Sequence, residues 1–232
     1  MKHSIIDIIH PSISDLSVAL DIEKKAWGAL EGQNMTAQED AFAYRLSNQM
    51  CSLALVNGNP AGLITAYSPD WLKEVDFDFL TSNQTHTWEY ISEHANLPNN
   101  WDEATVEGNL TNYDPNVTDA LFLVGVGVDP NYRGNKLVDK LIQHTIMKNT
   151  DKNILGYGRL PSLGGSFSQY PCEENVNNYL CSKRADGLPV DYGQRFHVRN
   201  GANAICSIPN AMQGDSECYD YGFLAHYPQM KK

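Results

Sequence analysis

The most sharply patterned stretch of the chain lies at its middle, residues 121–148. Leu121 to Val128 is an unbroken apolar run rich in Val and Gly, which predicts a buried strand rather than a helix. Asp129 and Pro130 stop it, and a short polar loop carries Arg133 and Gly134. Leu137, Leu141, Ile142 and Ile146 then recur at helical spacing. Upstream, Ser4 to Ile9 reads as a strand, and Ser12 or Ser14 is placed to cap a helix running to about Trp27 that buries Leu16, Leu20 and Ile22. Thr36 and Glu39 have the spacing of a capping box, followed by Phe42, Leu46 and Met50 on one helical face. Ser52 to Val56 and Ala61 to Tyr67 pair across Asn57-Gly58, a hairpin-turn dipeptide.

The pattern weakens between Ser68 and Asn116. This insertion holds Trp71, Trp88 and Trp101 and follows no single period, yet it is too aromatic to be disordered. Beyond the central unit, Ile154 to Arg159 reads as a strand and RLPSLGGSFSQYP as a flexible loop. The glycines of that loop lack the lysine-serine that a phosphate loop requires. Glu173 to Arg184 is helical in pattern, and Asp191 to Asn200 is a short helix stopped by Gly201. Ala204 to Ile208 and Tyr219 to Tyr227 complete the order as strands. The whole predicts an α/β (α+β) chain with a mixed, mostly antiparallel central sheet flanked by helices, one domain over 1–232 with insertions at about 68–116 and 160–190.

Composition narrows the partners. With 232 residues and 42% hydrophobic content the chain can bury a sizeable core, and no apolar run is long enough to cross a bilayer. The first residues, MKHSIIDIIHPSISD, lack the features of a secretory signal, which implies a cytoplasmic protein. A net charge of −11 argues against nucleic acid or an anionic membrane and favours a neutral or cationic small molecule. Five cysteines without C-x-x-C spacing or nearby histidines imply free thiols and no metal site.

The central loop carries the chemistry. A helix that starts directly after a basic loop offers unpaired backbone N–H groups and the positive end of its dipole, and Arg133 and Lys136 add charge, so a diphosphate fits there. The residues VDPNYRGNKL also resemble the signature of the GNAT superfamily of acyl-CoA-dependent N-acyltransferases, V-x-P-x-Y-R-G-x-G-x-G, in which R-x-x-G-x-[GA] wraps the pyrophosphate of coenzyme A. Arg133 fills the first position, whereas Lys136 stands where the middle glycine is usual and Val138 where Gly or Ala is usual. A side chain at 136 makes left-handed backbone costly and crowds the phosphates, unless that position is ordinary helix and the lysine pairs with them. The resemblance implies a pyrophosphate site at Arg133, Gly134, Asn135, Lys136, Leu137 and Val138. It also implies pantetheine along Val126, Gly127 and Val128, and an oxyanion met by a backbone N–H near Val126.

Further blocks widen the resemblance over roughly Trp101 to Tyr227. NWDEATVEG, NYDP, LFLVGVGVDPNYRG, YGRLP, RFHVRNGA and YGFLAHY resemble a GNAT branch found beside carbon-nitrogen hydrolase domains and, less closely, GNAT-like loading domains of polyketide synthases. Many GNAT enzymes end their last helix in L-Y-x-x-x-G, whose tyrosine protonates the departing thiolate, and that register places His197 at the tyrosine position, four residues before Gly201. A histidine can give and take a proton near neutrality, or it can be a satisfied residue at a helix end. Arg195 and Arg199 face elsewhere, solvated or paired with Asp191 or Asp186. The decarboxylating loading domains also use a threonine, and the chain has none from Asp151 onward, which argues against decarboxylation. No general base is evident: Glu103, Glu107 and Asp114 are candidates, with surface solvation as the alternative. The expected activity is transfer of acetyl from acetyl-CoA to an amine of a small molecule, with a homodimer left open. The alternatives are an acyl-CoA-binding sensor or assembly protein, and a GNAT-like decarboxylase or S-acyltransferase.

Overall fold

A computed structural model describes residues 5–27, 38–82 and 87–230. Its strands are β1 (Ile6–Ile9), β2 (Cys51–Val56), β3 (Asn59–Tyr67), β4 (Ala120–Val128), β5 (Asn153–Arg159), β6 (Asn203–Ile208) and β7 (Gly222–Tyr227). They form one seven-stranded sheet in the order β1-β2-β3-β4-β5-β7-β6. The pairs β1–β2, β2–β3, β5–β7 and β6–β7 are antiparallel. The neighbours β4 and β5 are joined through the helix α6 (Leu137–Lys148). Contacts divide the chain into two compact units: 1–67, 108–111 and 123–150, and 68–107, 112–122 and 151–232.

The first unit is built on the β2–β3 hairpin. Asn57 and Gly58 take φ of 50° and 80°, the double left-handed turn that matches strand twist, and this is why an Asn-Gly pair sits there. On this hairpin pack α1 (Leu16–Trp27) and α2 (Glu39–Ser47), burying Ala19, Ile22, Phe42 and Leu46 against Cys51, Leu53 and Leu63. Complete burial of a side chain such as Phe42 stabilises by roughly 1.5–3 kcal/mol. A 3-10 turn over Ile13–Asp15 leads into α1, and the Ser12 N–H donates to the Asp15 carboxylate at 2.8 Å. The predicted capping box does not open α2: the helix begins at Glu39 with Gln38 as its N-cap, and Thr36 lies outside the described residues.

The second unit gathers the insertion and the C-terminal strands. The stretch without a period holds a 3-10 turn at Asp70–Glu74 and three short helices, α3 (Phe77–Ser82), α4 (Trp88–Ala95) and α5 (Trp101–Thr105). Its aromatic residues explain the order: Trp71 meets Phe122 edge-on at 5.4 Å, Phe122 meets Tyr157 at 5.2 Å, and Trp88 meets Tyr157 at 5.8 Å. The buried Tyr157 hydroxyl donates to the Pro98 carbonyl at 2.6 Å.

The 160–172 segment is irregular but anchored, contrary to a flexible loop. Leu160 and Leu163 are buried, Gly164 N–H donates to Glu217 O, and Ser162 N–H donates to Asp191. Helix α7 (Glu173–Cys181) stops earlier than the pattern suggested, and Tyr219–Asp220 form a left-handed turn before β7 rather than part of that strand.

Candidate active site

In the first unit the end of β4 and the loop after it form the predicted anion cradle. Asp129, nearly fully buried, receives the Asn131 N–H at 2.9 Å and is ion-paired with Lys25 of α1 at 3.3 Å, which together hold its carboxyl below the ordinary range. Tyr132 N–H donates to Asp129 O and Arg133 N–H to Pro130 O, so the chain turns tightly away from the strand. Arg133, Gly134, Asn135 and Lys136 are exposed, and Asn135 Nδ2 donates to Tyr132 O at 3.0 Å.

Two residues of this loop are left-handed: Gly134 with φ of 89° and Lys136 with φ of 55°. Position 136 is therefore not ordinary helix. It is the N-cap of α6, and the lysine adopts the conformation for which the GNAT signature usually supplies glycine. No side chain caps α6 among the described residues, so the N–H groups of its first turn, at Leu137 and Val138, and the dipole's positive end stand at the loop. That donor set fits a pyrophosphate.

The strand feeding this loop is shaped by its glycines. A Cβ at Gly127 would lie 2.6 Å from Ala26 Cβ and 3.1 Å from Trp27 Nε1, and one at Gly125 would lie 3.7 Å from the Trp27 ring. Only glycine lets the end of α1 come down on the strand this closely. Val126 is half-buried, whereas Gly127 and Val128 are buried.

One turn before Trp27 on α1 stands Glu23, which sequence reasoning missed. Its carboxylate lies 3.9 Å from Arg45 Nη1, beyond hydrogen-bonding distance, and burial pushes it up to about 7 against the opposing Arg45 charge. Arg45 is itself buried, donates from Nη2 to Gly108 O at 2.5 Å, lies over the Phe42 ring, and leaves Nε without a partner among the described residues. Nothing in the residues around Glu23 announces this pair, because it is made across 22 positions of chain by two helices.

In the second unit His197 lies on α8 (Tyr192–Arg199). Asp191, fully buried, caps that helix by accepting from Gly193 N and Gln194 N at 2.8 and 3.1 Å, and Gly201 ends it with φ of 98°. His197 Nδ1 is 2.9 Å from the buried Tyr227 hydroxyl, with its ring edge-on to Phe223 at 5.3 Å. Burial lowers His197 to about 4 and raises Tyr227, so the imidazole is neutral near pH 7 and the helix end does not hold it charged. Gly158 opposes Phe223 on β7, and a Cβ there would strike that ring at 2.4 Å.

The other acid and arginine candidates have structural partners. Glu103 accepts from Asn99 N and Nδ2, and Asp114 is ion-paired with Lys73, which lowers its carboxyl, so neither is poised as a base. Arg195 donates to the Pro189 and Val190 carbonyls rather than to Asp191 or Asp186, and Asp186 is ion-paired with Arg184. Among the described residues no group of three or more His, Cys, Asp or Glu could hold a metal ion, and no helix is long and apolar enough to cross a membrane.

No protein-family model matches the sequence, and no curated protein does. Solved structures do. The loading GNATL domain of CurA from Lyngbya majuscula superposes with a TM-score of 0.71 at 17% identity, covering 98% of this chain and 100% of that one. The GphF GNAT-like decarboxylase in complex with isobutyryl-CoA gives 0.65 at 17% identity, covering 96% and 99%. The ribosomal-protein-S18-alanine N-acetyltransferase from Escherichia coli gives 0.54 at 12% identity, covering 98% and 96%. At these identities the likeness is one of architecture, and the chain has the GNAT fold.

Proposed function

We propose that this chain is an acyl-CoA-dependent acyltransferase that moves acetyl from acetyl-CoA to an amine of a small molecule. One observation carries the reading: the loop after β4 takes left-handed turns at Gly134 and Lys136 and delivers the chain into an uncapped helix N-terminus. Exposed N–H groups and a dipole end there suit a pyrophosphate, and they persist although the lysine is a poor residue for that backbone. The thioester would then lie beside Val126, whose strand offers an N–H to the oxyanion. The amine attacks the carbonyl carbon, the C–S bond breaks, and coenzyme A leaves as a thiolate that takes up a proton. His197 is the proposed donor, directly or through the Tyr227 hydroxyl it holds; as a neutral imidazole it gives up an N–H proton rather than acting as imidazolium.

The test is release of coenzyme A from acetyl-CoA in the presence of a panel of primary amines. Amine-dependent release supports transfer, and saturable acetyl-CoA binding without release would make the chain a binder. A second reading, decarboxylation of a malonyl thioester with S-acyl transfer, is favoured by the higher TM-scores of the loading domain and the GNAT-like decarboxylase. Loss of carbon dioxide from malonyl-CoA without any amine would select it.

A further inference from the structure

We propose that Glu23 is the general base of the transfer, taking the proton from the acceptor ammonium before or as its nitrogen attacks the thioester. The inference rests on the acyltransferase reading and supplies the group that reading lacks, since β4 carries no acid and Glu103 and Asp114 are engaged elsewhere.

The placement comes from helix geometry within the first unit. Glu23 and Trp27 are four residues apart on α1, hence on one stripe, with Cβ atoms about 5–6 Å apart. Ala26 and Trp27 of the same helix end press on the backbone of Gly127, and Trp27 approaches Gly125. A carboxylate one turn back from that contact therefore stands near the segment of β4 assigned to the thioester.

Its bonding is also that of an uncommitted group. Arg45 is fixed without it, by the Gly108 carbonyl and the Phe42 ring, and the 3.9 Å separation is too long for a hydrogen bond. The Glu23 side chain is 12% exposed, so it is sheltered but not sealed. The groups that face this pair from neighbouring elements are Cys51 of β2, a thiol that burial pushes up to about 11, and Tyr67 of β3, so Arg45 is the one charge acting on Glu23. A carboxyl poised near neutrality can hold an amine's proton and return it to solvent or to the leaving thiolate, which balances the reaction.

The experiment measures thiol release from acetyl-CoA by the full chain and by Glu23→Gln, across pH, with primary alkylamines and with hydroxylamine. Alkylamines arrive protonated and need a base, whereas hydroxylamine is already neutral at pH 7. We expect Glu23→Gln to lose about a hundredfold in kcat/KM with alkylamines. The wild-type rise through about pH 7 should vanish, while hydroxylamine transfer and acetyl-CoA affinity stay nearly unchanged. Equal alkylamine rates and the same pH limb in both proteins would overturn the assignment and leave the acyltransferase reading standing. No transfer by wild type to any amine would remove that reading, and this inference with it. Should Glu23→Gln fail to fold, the wild-type profile decides: a limb near 7 with alkylamines and none with hydroxylamine supports Glu23, and its absence overturns it.

Discussion

Lys136→Gly should stabilise the protein, which is unusual for replacing a side chain by glycine. Lys136 has φ of 55° and caps α6, so its Cβ sits against backbone that L residues avoid. That conformation costs a side-chain-bearing residue roughly 1–2 kcal/mol. Glycine removes the cost but adds about 0.5–1 kcal/mol of chain entropy to lose on folding. The difference leaves a net gain of about 0.5–1 kcal/mol. For a chain of this length that corresponds to a Tm rise of roughly 1–4 °C. Lys136→Ala keeps the Cβ and should change little, whereas Lys136→Val adds β-branching and should destabilise by about 1 kcal/mol or more. Urea or thermal unfolding of the three variants reads the series. If glycine lowers stability while valine is neutral, position 136 is not left-handed and the geometry assigned to the loop is wrong.

Gly158→Ala should cost about 1–3 kcal/mol, since its Cβ would meet the buried Phe223 ring at 2.4 Å; a stability unchanged in urea would deny that contact. Acid should destabilise the chain: His197 and His226, both lowered to about 4 by burial, lose stability as pH falls from about 6.5 through 4, at most about 3 kcal/mol each. Glu23 works against them, because a folded value of about 7 above an unfolded 4.5 gains about 3 kcal/mol as pH falls through that window. Glu23→Gln should therefore steepen the loss on acidification, and a stability flat between pH 7 and 4 in that variant would contradict the burial of the histidines. His197→Ala should lower turnover by roughly a hundredfold while sparing acetyl-CoA affinity, with His197→Tyr recovering part; full activity in His197→Ala would leave it a helix-end residue.

Much of the architecture is local and hence readable. Asn57-Gly58 has one favoured turn, the Val- and Gly-rich run at 121–128 has no helical alternative, and Asp191 and Gly201 bracket α8 by their own chemistry. Residues 68–116 resist such reading because α3, α4 and α5 are five to eight residues long, too short to show a period, and depend on rings such as Phe122 and Tyr157 supplied from elsewhere. At the site, the loop's register was legible from Arg133 and Gly134. The left-handed state of Lys136 was one of two alternatives, and only the backbone decides between them. The approach of Trp27 to Gly127 and the Glu23–Arg45 pair are long-range contacts, and no spacing in the chain encodes them.

The central claim is that residues 133–138 cradle a pyrophosphate through backbone rather than side chains, and calorimetric titration with acetyl-CoA tests it most directly. Gly134 has open space around it, so Gly134→Leu acts by straining a residue at φ of 89° and should displace the loop's N–H groups. Asn135→Ala removes only a side-chain bond to Tyr132 O. The account predicts saturable binding to wild type, weakened about tenfold or more by Gly134→Leu, the equivalent of roughly 1.4 kcal/mol, and little by Asn135→Ala. Superimposable curves for the two variants, or no binding by wild type, would contradict it.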